Sequence, residues 1–140
     1  MIKEFSMRYE MKPEYFTGIA EIDKEHARLF ELAQETDDLL EDDLLQDKTE
    51  QLVYLVSELI NYTRIHFSHE EDYLRSIHYS DFAAHSAQHR SFEDSLLKFD
   101  LDSAEGDYGR QNEIAKGLLE FLVKWLVSHI LKVDMRYVQK

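Results

Sequence analysis

His85-Ser86-Ala87-Gln88-His89 sets two imidazoles four residues apart, the spacing that places side chains on one face of an α-helix, one turn above the other. The interval recurs at His66 and Glu70, with one imidazole exchanged for a carboxylate, and His26, His129 and Asp134 stand on other segments. Four apolar stripes carry the imidazoles. Ile22, His26, Leu29, Phe30 and Ala33 form the first; Leu52, Leu55, Leu59, Tyr62, His66, Glu70 and Tyr73 the second. Phe82, His85, His89, Phe92, Leu96 and Phe99 form the third, and Ile114, Leu118, Leu122, Trp125 and His129 the fourth. Steps of three and four predict helices over about 19–40, 47–76, 81–100 and 110–133.

Composition agrees with long helices. The 140 residues hold one proline (Pro13) and four glycines, three of which (Gly18, Gly106, Gly109) fall where helices begin or separate. Helices of roughly 20 residues are about 30 Å long, and short connections make neighbours antiparallel. The expected fold is all-α: a single domain over 1–140, an up-down-up-down antiparallel four-helix bundle with an N-terminal arm. The arm, residues 1–17, carries Phe5, Tyr9, Tyr15 and Phe16, and an aromatic segment of this kind is expected to pack over the bundle. Ser80 or Asp81 is the expected N-cap of the third helix. Asp37, Asp38, Glu41, Asp42 and Asp43 oppose the macrodipole at the end of the first helix, which predicts fraying and a solvated loop.

A formal charge of −13 argues against nucleic-acid binding, which needs a basic face. No apolar run reaches the roughly 20 residues that span a bilayer, and Met1-Ile2-Lys3-Glu4-Phe5 lacks an apolar signal-peptide core. A soluble cytoplasmic protein is expected. With no cysteine, disulfides, thiolate zinc sites and iron–sulfur clusters are excluded, so any metal must take nitrogen and oxygen ligands.

A single histidine on an apolar face is commonly a hydrogen-bonded core residue. Five histidines on the inward seams of four helices are another matter, because those seams offer almost no Ser, Thr, Asn or Gln as partners. Metal ligation satisfies them all. The candidate ligands are His26, His66, Glu70, His85, His89, His129 and Asp134. His69 and His78 are turned to solvent by their positions, and Glu93 ranks below Glu70 as a bridge because it would put three ligands on one helix. His129 and Asp134 lie about 140° apart on a regular helix, so the helix must end or widen between them; a π-type turn is expected.

Imidazoles and carboxylates without thiolate suit iron, manganese, zinc or copper. Seven ligands are too many for one ion and suit two. If both carboxylates bridge, two six-coordinate ions sharing an oxide or hydroxide keep one position open, where a small molecule can bind. The carboxylate-rich diiron oxidases use Glu-x-x-His pairs, and no Glu here has a His three residues later. That favours binding over oxidation.

Gly18-Ile19 with Ile22-Asp23-Lys24-Glu25-His26, His66-Phe67-Ser68-His69-Glu70-Glu71, His85-x-x-x-His89 and Trp125-Leu126-Val127-Ser128-His129-x-x-x-x-Asp134 together resemble the hemerythrin family over nearly the whole chain. The resemblance implies two non-haem iron ions bridged by oxide or hydroxide, one held by His85, His89 and His129, the other by His26 and His66, with Glu70 and Asp134 between them. It also implies reversible dioxygen binding at the two-histidine iron, in a pocket that excludes water. Trp125, Leu126, Phe30 and Tyr62 are candidates for its wall. The chain departs from the family in one place: Met11 stands where members often carry a Trp, with Tyr9 at the place of the family's arm tyrosine. A flexible Met closes the pocket less tightly.

The leading expectation is therefore a free-standing, non-enzymatic dioxygen-binding protein that carries, stores or delivers oxygen, with no nucleic-acid or membrane partner and no identified protein partner. Rival readings are a sensor of oxygen, nitric oxide or redox state, a diiron peroxidase or oxidase, and a metal-stabilised structural bundle. The bundle and arm account for all 140 residues, which weighs against a fused signalling domain, and an open coordination position weighs against a closed structural site.

Overall fold

The apolar stripes become four helices: α1 Ala20–Glu41, α2 Thr49–Ser76, α3 Phe82–Leu96 and α4 Tyr108–Lys132. The computed structural model describes residues 9–138, and among them there is no strand. Short 3-10 turns at Pro13–Tyr15, Asp102–Ala104 and Asp134–Val138 flank the helices. α1 packs against both α2 and α4, and α2 against α3; α3 meets α4 through ring contacts of Phe92 with Phe121 and Trp125. This is the expected four-helix bundle.

Two devices set the start of α1. Asp23, in the first turn, accepts bonds from the Thr17 backbone N–H (2.7 Å), the Thr17 hydroxyl (2.8 Å) and the Gly18 N–H (3.0 Å). These satisfy donors that the helix itself cannot. Gly18 sits at φ 87, a left-handed conformation that costs glycine nothing. The arm ahead of it is anchored by Tyr15, which is buried and stacked on Phe30 at 5.3 Å. Tyr9 and Met11 also pack on the core, but Phe16 is half exposed, and Phe5 lies outside the described residues.

The acidic end of α1 is solvated as expected at Asp38, Glu41, Asp42 and Asp43, and differs at one residue. The helix continues through Glu41, and Asp37 is buried. Lys48 is the physical reason. Its buried ammonium donates to the Leu40 carbonyl (3.3 Å) and to Asn112 Oδ1 (2.8 Å), placing a cation at the negative end of the helix. At α3 the expected last turn is missing: the helix stops at Leu96, and Lys98 and Phe99 make tighter i−3 bonds as the Phe99 ring turns onto Phe121. Asp81 occupies the N-cap position of α3 without a side-chain capping bond. Asp107 does cap α4, accepting from Arg110 N–H at 3.0 Å, so that helix starts earlier than expected.

The core falls into two parts. A main cluster built on Leu29, Leu59, Phe67, Phe92, Leu118, Leu122 and Leu126 fills most of the bundle, and a smaller one gathers Ile22, Leu74 and Tyr137. The polar residues of the four stripes lie between them. On α1, His26 stands between Ile22 and Phe30; on α2, Glu70 stands between Phe67 and Leu74.

Candidate metal centre

All seven sequence-predicted residues meet in this layer, and none is more than 3% exposed. Glu70, His85, His89 and His129 offer ligand atoms within 4.8 Å of one another, as do His26, His66 and Glu70. Asp134 faces both ways. Its Oδ1 lies 3.0 Å from His85 Nε2 and 2.8 Å from His129 Nε2, while its Oδ2 lies 3.1 Å from His26 Nε2. Glu70 Oε1 stands 3.1 Å from His85 Nε2 and 2.9 Å from His89 Nε2.

Of these close approaches one is a hydrogen bond, that between His85 Nε2 and Glu70 Oε1; the others are not aligned as such. Among the described residues, both Asp134 oxygens and the Nε2 atoms of His89 and His129 are buried without an aligned partner. Orphaned polar atoms in a dry core are costly, and here they are aimed at one another from opposite sides of a small space. Five imidazoles and two carboxylates so arranged fit metal ions that accept nitrogen and oxygen ligands.

Asp134 reaches the layer because the helix ends. α4 stops at Lys132, Val133 still bonds back to His129 at 2.8 Å, and the chain tightens into the 3-10 turn Asp134–Val138. The expected π-type turn is thus absent. Narrowing the coil after the helix, rather than widening it within, re-aims the carboxylate. The same turn brings Tyr137, whose hydroxyl donates to Glu70 Oε2 at 2.5 Å.

Three of the five outer ring nitrogens are held by residues that sequence reasoning missed, while among the described residues Nδ1 of His26 and of His85 has no partner. Glu25 of α1 takes His66 Nδ1 of α2 (2.7 Å), Glu71 of α2 takes His89 Nδ1 of α3 (2.7 Å), and Gln88 of α3 takes His129 Nδ1 of α4 (2.9 Å). Each acceptor is the chain neighbour of a candidate ligand, and each reaches to the next helix. Partners of this kind fix ring orientation and leave Nε2 for the metal. Adjacency to a ligand was the available signal: on a helix, the next residue points about 100° round, toward the neighbouring helix.

Arg90 and His69 back the outer carboxylates, and Glu25 in turn raises His69 above its ordinary value. Arg90 Nη2 lies 3.1 Å from Glu71, and His69, 42% exposed, binds Glu25 at 2.5 Å. His69 is outside the layer as expected, yet it is tied to it through Glu25. His78 is exposed, and Glu93 pairs with Arg90 at 3.1 Å instead of entering the site. Of the wall candidates, Trp125 stacks on His129 at 4.1 Å, while Leu126, Phe30 and Tyr62 belong to the main apolar cluster. Phe67, which the spacing did not single out, stacks on His89 at 3.9 Å and tilts against His66 at 5.7 Å.

The charges of the metal-free layer are mutually dependent. Burial and the Asp134 charge push Glu70 upward, but the imidazoles of His85, His89 and His66 outweigh them and hold it well below the carboxylate range. Asp134 follows the same pattern: burial raises it, and His129, His26 and His85 bring it down. Burial alone would depress His85, yet Asp134 and Glu70 raise it to about 9, and His26 is raised by the same two carboxylates against its burial. Protons therefore occupy the role that metal ions can fill.

Comparison with known proteins supports the same reading. Residues 17–140 match the family model described as the hemerythrin HHE cation binding domain. Bacteriohemerythrin of Clostridium acetobutylicum is 36% identical over 127 residues, covering 91% of this chain and 96% of its own. Bacteriohemerythrin of Methylococcus capsulatus is 29% identical over 124 residues, 89% of this chain and 88% of its own. A hemerythrin-like protein of Naegleria gruberi is 26% identical over 124 residues, covering 88% and 85% of the two chains.

Proposed function

This chain belongs to the hemerythrin family, and from that premise we propose that it is a single-domain, non-haem diiron protein that binds dioxygen reversibly as a carrier, store or delivery protein. His85, His89 and His129 would hold one ion and His26 and His66 the other, with Glu70 and Asp134 shared between the two and an oxide or hydroxide as the remaining common ligand. The observation that carries the assignment is Asp134, with one oxygen turned to His85 and His129 and the other to His26. When bound, the iron pair supplies an open coordination position and the electrons for reversible oxygen binding.

The chain's own residues do the rest. Glu25, Glu71 and Gln88 orient His66, His89 and His129, and Tyr137 holds Glu70 from the far side. Tyr137 remains a neutral donor because burial and the charges of Glu70 and Asp134 raise its hydroxyl far above the ordinary value. Phe67, Trp125 and the cap formed by Ile22, Leu74 and Tyr137 keep bulk water and stray protons from the layer. We place it in the cytoplasm on its acidic, cysteine-free composition; among the described residues no helix is long and apolar enough to cross a membrane.

An anaerobic optical titration of the reduced, iron-loaded protein with oxygen, followed by degassing, tests this. A charge-transfer band that appears with oxygen and bleaches on its removal is expected. Rapid irreversible conversion to the diferric form would replace the carrier by a sensor or peroxidase, and failure to take up two irons per chain would end the assignment.

A further inference from the structure

Gln88, which holds the outer nitrogen of His129, differs from its counterparts Glu25 and Glu71 in being neutral and in standing at the surface. It lies at the mouth of a groove of about 220 Å³ between α3 and α4, lined also by Phe121, Lys124, Trp125, Ser128 and His129. The volume is below the roughly 300–1,000 Å³ of drug-sized sites, so it suits a ligand of about one ring. Its floor is aromatic: Trp125, half buried, has His129 stacked at 4.1 Å and Phe92 tilted at 4.5 Å.

The polar rim is biased toward donors. Lys124 offers an ammonium that enters no ion pair among the described residues, and Ser128 and the Gln88 amide offer further N–H and O–H groups. No carboxylate lines the groove. That is unusual in a chain of charge −13, and α4 is the one helix with a basic surplus: Arg110, Lys116, Lys124 and Lys132 against Glu113 and Glu120. A cation and neutral donors around an aromatic floor complement an anionic head on a flat apolar body.

We propose that the α3–α4 groove is a binding site for a small aromatic carboxylate, its carboxylate on Lys124 and Ser128 and its ring against Trp125. Bound there, the anion lies beside the Gln88–His129 hydrogen bond and competes with Gln88 for the His129 N–H. The site thus brings a negative charge to the one outer-nitrogen contact of the three that is neutral, and its occupancy is felt at the metal layer through His129. The groove is built by the chain alone, so the site stands or falls independently of which metal the layer holds.

Trp125 is the only tryptophan, so its emission reports the groove directly. The metal-free full chain is titrated with benzoate, benzamide and sulfate at constant ionic strength, and the His129 Nδ1 resonance is followed by NMR. Benzoate is expected to change the emission saturably and to move the His129 resonance. Benzamide should bind roughly tenfold more weakly or worse, as should benzoate to Lys124→Glu, from loss of a charged hydrogen bond. Sulfate should leave the emission unchanged. Lys124 is exposed, and Lys124→Gln with an unchanged far-UV spectrum serves as the second variant. Equal binding of benzamide would reduce the groove to an unselective apolar cleft, and equal binding of sulfate to a plain anion site; either overturns the proposal. So would the absence of saturation, or a His129 resonance that does not move.

Discussion

Replacing Glu71 by Gln tests whether the outer carboxylates govern the metal layer. Glu71 Oε2 accepts from His89 Nδ1 at 2.7 Å and from Arg90 at 3.1 Å, and its side chain is only 8% exposed, so water cannot easily take its place. A hydrogen bond to a charged partner contributes about 1.5–3 kcal/mol, which corresponds to roughly a 10–150-fold change in an equilibrium constant. Direct experience with such partners of metal-bound histidines gives about 10–100-fold in affinity. The two ranges agree, and the expected loss is therefore about 10–100-fold at the ion held by His85, His89 and His129. The ion at His26 and His66 should change by less than about threefold, as for substitutions away from such contacts. Glu25→Gln should reverse the pattern, because Glu25 holds His66 at 2.7 Å. Two-step anaerobic titration with ferrous ion against a competing chelator measures both affinities in each variant. If both substitutions weaken the same step, or neither exceeds threefold, the helix-to-helix support of ligands is not what orders the site.

Two further outcomes follow from the same geometry. In the metal-free protein, His85 and His26 are raised above the ordinary 6.5, so the stability they contribute is complete below about pH 6.5 and is lost as pH rises through about 9 for His85. Glu70 and Asp134 are depressed below 4.5 and 3.8, so their contribution is complete above those values and lost as pH falls through their lowered ones. Burial holds His129 below 6.5, so its contribution is complete above that value and lost as pH falls. Thermal melts of the metal-free chain should thus peak at about pH 6.5, whereas metal affinity should rise with pH as protons leave the imidazoles; a melting temperature that climbs steadily from pH 6 to 9 would contradict the charge arrangement. Phe67→Ala removes a ring that is 1% exposed and stacked on His89, and should cost about 3–5 kcal/mol, on the order of 10 °C in melting temperature by calorimetry. A loss under about 1 kcal/mol would mean that the layer does not lean on that ring.

The four helices and six of the inward polar residues were legible because they depend on periodicity alone. Side chains three and four apart share a face whatever the rest of the chain does, so His26, His66, Glu70, His85, His89 and His129 could be placed inward from spacing. Asp134 could be read as belonging to the set, but not how it arrives. Whether a helix widens or ends is settled by what its last turn packs against, and here the 3-10 turn carrying Asp134 and Tyr137 closes over the bundle end. Spacing likewise gave no warning that Asp37 is buried or that Lys48 is drawn in to bond Leu40 across the α1–α2 loop and Asn112 on a helix far along the chain. The clearest case is the outer support of the ligands. Glu25, Glu71 and Gln88 look like ordinary solvated positions beside a seam, and only packing α1 against α2, α2 against α3 and α3 against α4 turns each toward a histidine on its neighbour. One-dimensional order determines which face of a helix is apolar and which polar residues interrupt it. Which residue then meets which across two helices is a matter of rotation and register, set only when the whole core packs.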